Sequence, residues 1–115
     1  SQITKLDLYE NKIGDEGAIA LAGVLSDTGI TELKLGRNQI GEEGARALAA
    51  ALPDSGITEL DLGFNQIGEE GASALAGVLS YSKKITTLDL CDNQIGDEGR
   101  AALEAAKPAG LRIIY

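Results

Sequence analysis

Apolar and polar positions along the chain recur as whole phrases. ITKLDLYENKIGDEGAIALA begins at Ile3, ITELKLGRNQIGEEGARALA at Ile30, ITELDLGFNQIGEEGASALA at Ile57 and ITTLDLCDNQIGDEGRAALE at Ile85. The starts are 27, 27 and 28 residues apart. Self-similarity at such a period marks a solenoid, in which one supersecondary unit stacks on copies of itself. Within a unit, Ile57, Leu60 and Leu62 are apolar and Leu60-Asp61-Leu62 alternates, which predicts a short strand with one buried face. Asn65 and Ile67 follow, and Gly68-Glu69-Glu70-Gly71 leads into a run where Ala72, Leu75, Ala76 and Leu79 are spaced as the apolar stripe of an amphipathic helix.

The first glycine of the Gly-acid-acid-Gly step lets the chain leave the strand sharply. Its carboxylates face the positive end of the helix dipole. Helices are expected to close near Ser26–Gly29, Pro53–Gly56 and Ser80–Lys84, with Pro53 pushing Leu52 out of helical geometry. Strand–helix units in series give a parallel sheet with helices on its other side. Helices are wider than strands, so the stack curves with the sheet inside.

Leu-x-x-Leu-x-Leu-x-x-Asn-x-Ile, with Ile at the first position, occurs four times. It carries Leu6, Leu8, Asn11 and Ile13; Leu33, Leu35, Asn38 and Ile40; Leu60, Leu62, Asn65 and Ile67; and Leu88, Leu90, Asn93 and Ile95. The pattern resembles the leucine-rich repeat, in its ribonuclease-inhibitor-like subtype, and the IGxEGAxALA wording looks most like the repeats of NOD-like receptors and related cytoplasmic proteins. The resemblance implies an α/β fold: a right-handed horseshoe solenoid with a parallel β-sheet on the concave face and α-helices on the convex face. It also implies a buried ladder of Asn11, Asn38, Asn65 and Asn93, each bonding backbone groups of neighbouring turns. Residues 1–115 read as one leucine-rich-repeat domain with repeats 3–29, 30–56, 57–84 and 85–110 and a terminal strand 111–115.

The two ends differ from the middle. Repeat one has no cap before it, and the Ser-Gln start suggests a processed, excised or engineered beginning. In repeat four Arg100, Glu104 and Lys107 replace Ala, Ala and Leu on the helix stripe, so Arg100–Lys107 reads as a terminal capping helix stopped by Pro108. Leu111–Tyr115 then aligns with Ile85–Asp89 as a fifth, edge strand, with Ile114 in the place of Leu88.

The formal net charge is -8, and eight acids sit in the helix-entry pairs. That argues against nucleic-acid backbone binding, which needs clustered Lys and Arg. No apolar run is long enough to span a bilayer, so no membrane partner is expected. Cys91 is the single cysteine, which fits a reducing, cytoplasmic setting. There is no histidine, which removes His-based triads, His general bases and His metal sites. No Walker-type or EF-hand spacing is present. Catalytic residues, metal ligands and cofactors are therefore not expected.

What varies between copies is the concave face: Lys5, Asp7, Tyr9 and Glu10; Glu32, Lys34, Gly36 and Arg37; Glu59, Asp61, Gly63 and Phe64; Thr87, Asp89, Cys91 and Asp92. Lys34 is expected between Asp7 and Asp61, Lys5 opposite Glu32 and Glu10 opposite Arg37. Asp61 beside Asp89 is discordant. Phe64 either anchors a partner, with Tyr9, or lies over Gly36 and Gly63 as a shield. The leading expectation is a non-catalytic protein–protein interaction module. It would present Asp7, Tyr9, Lys34, Arg37, Asp61, Phe64, Asp89 and Asp92 to a protein partner, of basic character given the acidic face. One alternative is a regulator of an enzyme, of the inhibitor or GTPase-activating type, since the subtype includes the Ran GTPase-activating protein. Another is a designed or excised scaffold whose uncapped terminal repeats self-associate.

Overall fold

The structure, a computed structural model, describes residues 3–115. Five strands, β1 (Lys5–Asp7), β2 (Glu32–Lys34), β3 (Glu59–Asp61), β4 (Thr87–Asp89) and β5 (Arg112–Ile114), form one parallel sheet in chain order. Four helices, α1 (Gly14–Ala22), α2 (Glu42–Ala51), α3 (Gly68–Ala76) and α4 (Gly96–Ala106), stack in the same order. Each of the first three is followed by a single 3₁₀ turn: Leu25–Asp27, Leu52–Asp54 and Leu79–Tyr81. This is an α/β leucine-rich-repeat solenoid.

The apolar rungs run across the repeats. Leu6, Leu33, Leu60 and Leu88 are register partners on successive strands, and Leu33, Leu60 and Leu88 are buried. Leu48, Leu75 and Leu103 meet them from the helices and are fully buried. Each such side chain contributes about 1.5–3 kcal/mol, which a helix of nine to eleven residues needs because it is marginal alone.

The two glycines of the helix-entry step do different work. Gly68 opens α3 at φ +71, a left-handed conformation that side chains resist. Gly71 instead permits helix–helix contact, since a Cβ there would stand 3.1 Å from the Ala45 methyl of α2. The Pro53 expectation is corrected. Leu52 stays helical (φ -56, ψ -46) because its buried side chain holds it in place, and Pro53 falls in the first turn of the 3₁₀ segment, where no N–H is needed.

Between strand and helix the asparagine side chains lock each repeat to the one before it. Asn65 Oδ1 accepts the backbone N–H of Asn38 at 2.9 Å and of Ile40 at 3.0 Å. Its Nδ2 donates to Leu35 O at 3.0 Å and Leu62 O at 2.8 Å. Asn38 serves Asn11 and Ile13 in the same way, and Asn93 accepts from Ile67. Asn38, Asn65 and Asn93 are buried. Asn11 departs from the expected ladder. With no described repeat before it, it is exposed, and among the described residues its side chain donates only to Tyr9 O.

β5 also departs from expectation. Leu88 pairs with Ile113, not Ile114, and Ile114 falls opposite Asp89. Gly110, at φ +91, turns the chain just after Pro108, and Leu111 is buried at once, so the strand arrives one residue early. A slip of one residue exchanges the faces of a strand. Ile114 and Arg112 therefore join the concave side.

Asn65→Ala is predicted to destabilise the chain by about 3 kcal/mol in urea unfolding, since two buried N–H groups lose their acceptor. Asn11→Ala should cost less than about 0.5 kcal/mol by the same measurement.

Candidate functional site

Alternation within the three-residue strands puts every second side chain on the concave face. One row is Lys5, Glu32, Glu59, Thr87 and Arg112, and the next is Asp7, Lys34, Asp61, Asp89 and Ile114. Neighbours in a row are about 4.8 Å apart along the sheet. Lys5 Nζ stands 3.7 Å from Glu32 Oε2. A shallow depression of about 160 Å³ lies across the middle, lined in part by Lys34, Asp61, Asp89 and Ile114.

The three aspartates of the second row fold back on their own chain. Asp7 accepts the Tyr9 N–H at 3.0 Å, Asp61 the Gly63 N–H at 2.8 Å and Asp89 the Cys91 N–H at 3.0 Å. Each thus uses one oxygen to satisfy a backbone donor where the strand ends. Lys34 lies in register between Asp7 and Asp61, but its attraction for Asp61 is through space, without an ion pair within 4.0 Å among the described residues. Burial pushes the Asp61 carboxyl above its ordinary value, and Asp89 adds to this, against the Gly63 hydrogen bond and Lys34.

Past the strands the rim turns sharply. Glu10, Arg37, Phe64 and Asp92, each just before a repeat's asparagine, all adopt left-handed backbone, with φ between 54 and 58. For residues with side chains this costs roughly 1–2 kcal/mol each, and it holds only where the surroundings fix it. The asparagine bonds do so. The expected Glu10–Arg37 pair does not form. Instead the Arg37 Nε–H donates to the Tyr9 hydroxyl, and its guanidinium carbon lies 4.3 Å from the centroid of the Phe64 ring. Left-handed backbone carries Arg37 sideways onto the aromatic groups of both neighbouring repeats. Tyr9 and Phe64 remain 47% and 43% exposed.

Tyr9, not Phe64, shields glycine: a Cβ on Gly36 would stand 2.9 Å from the Tyr9 ring. Gly63 is neighboured by Cys91 Sγ, which a Cβ would meet at 3.2 Å. Asp92 is exposed and extends the rim beyond Phe64. Burial, the Asp89 hydrogen bond and the charges of Asp89, Asp92 and Asp61 push the Cys91 thiol up to about 11.

The sequence reading missed two features. Ile114 and Arg112 belong to the face, and the two-residue gap between Pro108 and Leu111 was the available signal. Asp15 reaches across to the next repeat, where Oδ1 accepts the Gly41 N–H at 2.6 Å and the Gly44 N–H at 3.0 Å, capping α2. The signal was a short Asp where repeats two and three carry Glu42 and Glu69. Between α3 and α4 the nearby charge of Glu98, and a hydrogen bond with it, raise the Glu69 carboxyl above its ordinary value. No group of three or more metal-ligating side chains is assembled among the described residues.

Comparison with known proteins agrees with this geometry. The family model described as Leucine Rich repeat matches residues 3–22, 26–49, 57–76 and 81–103. The chain belongs to the leucine-rich repeat family. Comparison with curated protein sequences finds no match. Among solved structures it is similar to leiomodin-1 actin-binding site 2, with a TM-score of 0.88 and 19% identity over 96% of this chain and 68% of that one. It is also similar to the tropomodulin C-terminal domain of Caenorhabditis elegans, with a TM-score of 0.84 and 15% identity over 97% of this chain and 72% of that one. At these identities the likeness is one of fold.

Two measurements check the electrostatics. Alkylation of Cys91 at neutral pH should run about a hundredfold slower than that of an unperturbed thiol, and Asp89→Asn should speed it. Asp61 binds its proton more tightly folded than unfolded, so its charge costs stability above the folded pKa and the cost vanishes as pH falls. Asp61→Asn, which keeps the Gly63 acceptor, should raise Tm at neutral pH, with the gain gone by about pH 3.

Proposed function

We propose that this chain is a non-catalytic protein-interaction module that binds a partner on the concave face of its sheet. The observation that carries the reading is the Tyr9–Arg37–Phe64 rim cluster. It is a cation between a phenol and an aromatic ring, exposed yet held by strained backbone. Aromatic and arginine side chains on a rigid support lose little entropy on binding and dominate interface energetics. Asp61, Asp89 and Asp92 lie beside it, with Asp7 and Lys34 further along the row, so the partner is a protein presenting Lys or Arg toward the acidic end.

The absence of histidine and a thiol held protonated at neutral pH support binding without chemistry. No described helix is long and apolar enough to cross a membrane. The single cysteine supports a reducing, cytoplasmic setting, and the helical outer side of every repeat supports the ribonuclease-inhibitor-like subtype. The similar leiomodin-1 structure is that of an actin-binding site. The surface proposed for this chain rests on its own residues.

Affinity capture followed by titration of the recovered partner tests the assignment. Phe64→Ala and Arg37→Ala should each weaken binding at least about tenfold. Arg46→Ala on the helical side should leave it unchanged. Association should also slow as salt rises. Binding that survives both rim substitutions but is lost with Arg46→Ala would place the partner on the helices instead.

A further inference from the structure

The third repeat is one residue longer than the first two, and the extra residue falls where its helix closes. Ser26-Asp27-Thr28-Gly29 and Pro53-Asp54-Ser55-Gly56 correspond there to Ser80-Tyr81-Ser82-Lys83-Lys84. The first two closures are alike. The hydroxyl of Thr28 or Ser55 donates to the carbonyl of Leu25 or Leu52 and accepts the N–H of Ile30 or Ile57, with the backbone extended at ψ 162 and 166. At Ser82 ψ is 73, and the hydroxyl donates to Val78 O at 2.7 Å instead. The chain then makes an extra turn at Lys83 and Lys84, both exposed, before Ile85 is buried.

A cavity of about 210 Å³ lies between this longer turn and the closure of repeat two. Pro53, Asp54 and Ser55 line it from repeat two, and Tyr81, Lys83 and Lys84 from repeat three. Tyr81 stands where the first two repeats carry Asp27 and Asp54, and at 69% it is more exposed than Tyr9 or Phe64. Lys83-Lys84 is the single place where two cations are adjacent in a chain of net charge -8. Lys5, Arg46 and Lys107 pair with acids, and Arg37 and Arg100 lie over aromatic rings. Neither Lys83 nor Lys84 has an acid within 4.0 Å among the described residues. The cavity sits inside the stack on the edge where chains enter the strands, opposite the Tyr9–Arg37–Phe64 rim, which follows them.

We propose that this cavity docks an acidic segment of a partner protein, with an apolar side chain of the segment against Tyr81 and Pro53 and a neighbouring carboxylate at Lys83 and Lys84. The site is separate from the concave face and does not rest on the reading of that face, which expects a partner of the opposite charge. Charge complementarity selects the occupant. Two adjacent ammonium groups attract carboxylates, while Asp54 repels them from the other wall and so fixes which side of the segment meets the lysines. The volume is below the roughly 300–1,000 Å³ of small-molecule pockets and suits one side chain of a peptide. Two lysines beside an aspartate are too few for a nucleic-acid backbone or an anionic membrane, where cations act in larger clusters.

Selection of short random peptides on the whole chain tests the site, with circular dichroism as the control for folding. Enriched peptides should include a class with Asp or Glu beside an aliphatic or aromatic residue. By fluorescence anisotropy, their affinity should fall about tenfold or more for Lys83→Glu combined with Lys84→Glu and for Tyr81→Ala. It should rise for Asp54→Asn and stay unchanged for Phe64→Ala. Basic peptides held by the concave face are told apart by their loss with Phe64→Ala, so failure of one site leaves the other measurable. Replacing Lys83-Lys84 with a single glycine restores the spacing of the first two repeats, and should preserve the fold while abolishing binding of the acidic class. No enriched acidic peptide, acidic peptides that bind the Lys83→Glu, Lys84→Glu or shortened-turn chain undiminished, or phosphatidylserine vesicles bound as tightly as the peptides would each overturn the proposal.

Discussion

One carboxamide per repeat holds the solenoid together at its weakest place. Where the chain leaves the sheet, its backbone is irregular, and its N–H groups have no strand to pair with. Burying such groups unpaired costs about 1–3 kcal/mol each. The side chain of Asn65 removes that cost for two donors of the preceding turn while its own amide is satisfied by carbonyls on both turns. Only a flat group with acceptor and donor ends fits both tasks. The order of the bonds gives the stack a direction, each turn being secured by the one that follows it.

That constraint also explains the surface. Because the bend is fixed from beneath, the residue just before each asparagine can be forced into left-handed backbone whatever its side chain. In repeat three this residue is Phe64 and in repeat two Arg37. Their side chains are thereby thrown onto the rim, toward each other and toward Tyr9, and not into the core. The aspartates at the strand ends act similarly, each giving one oxygen to its own backbone and leaving the other outward. The concave side is a rigid display of charge and aromatic surface.

The fold was legible because the same spacing was written four times, and a period of 27 residues admits one strand and one helix. Contacts between equivalent positions were legible for the same reason: Lys5 and Glu32 are 27 residues apart and pair. What escaped were contacts that leave the equivalent position. Arg37 chose Tyr9 and Phe64 over Glu10 because left-handed backbone redirects its side chain. Asp15 capped the neighbouring helix because it is one methylene shorter than Glu. Ile114 fell on the concave side because Gly110 shortened the approach to β5 by one residue. Local backbone geometry decided the partner for Arg37 and Ile114 and side-chain length for Asp15, and periodicity shows neither.

Amide hydrogen exchange under native conditions tests the central claim most directly. If the asparagine side chains lock the turns, the N–H groups of Asn38 and Ile40 should exchange as slowly as the sheet-bonded N–H of Leu62, opening only with the whole molecule. Rapid exchange at Asn38 and Ile40 while Leu62 stays protected would contradict it, leaving strand pairing alone to hold the stack.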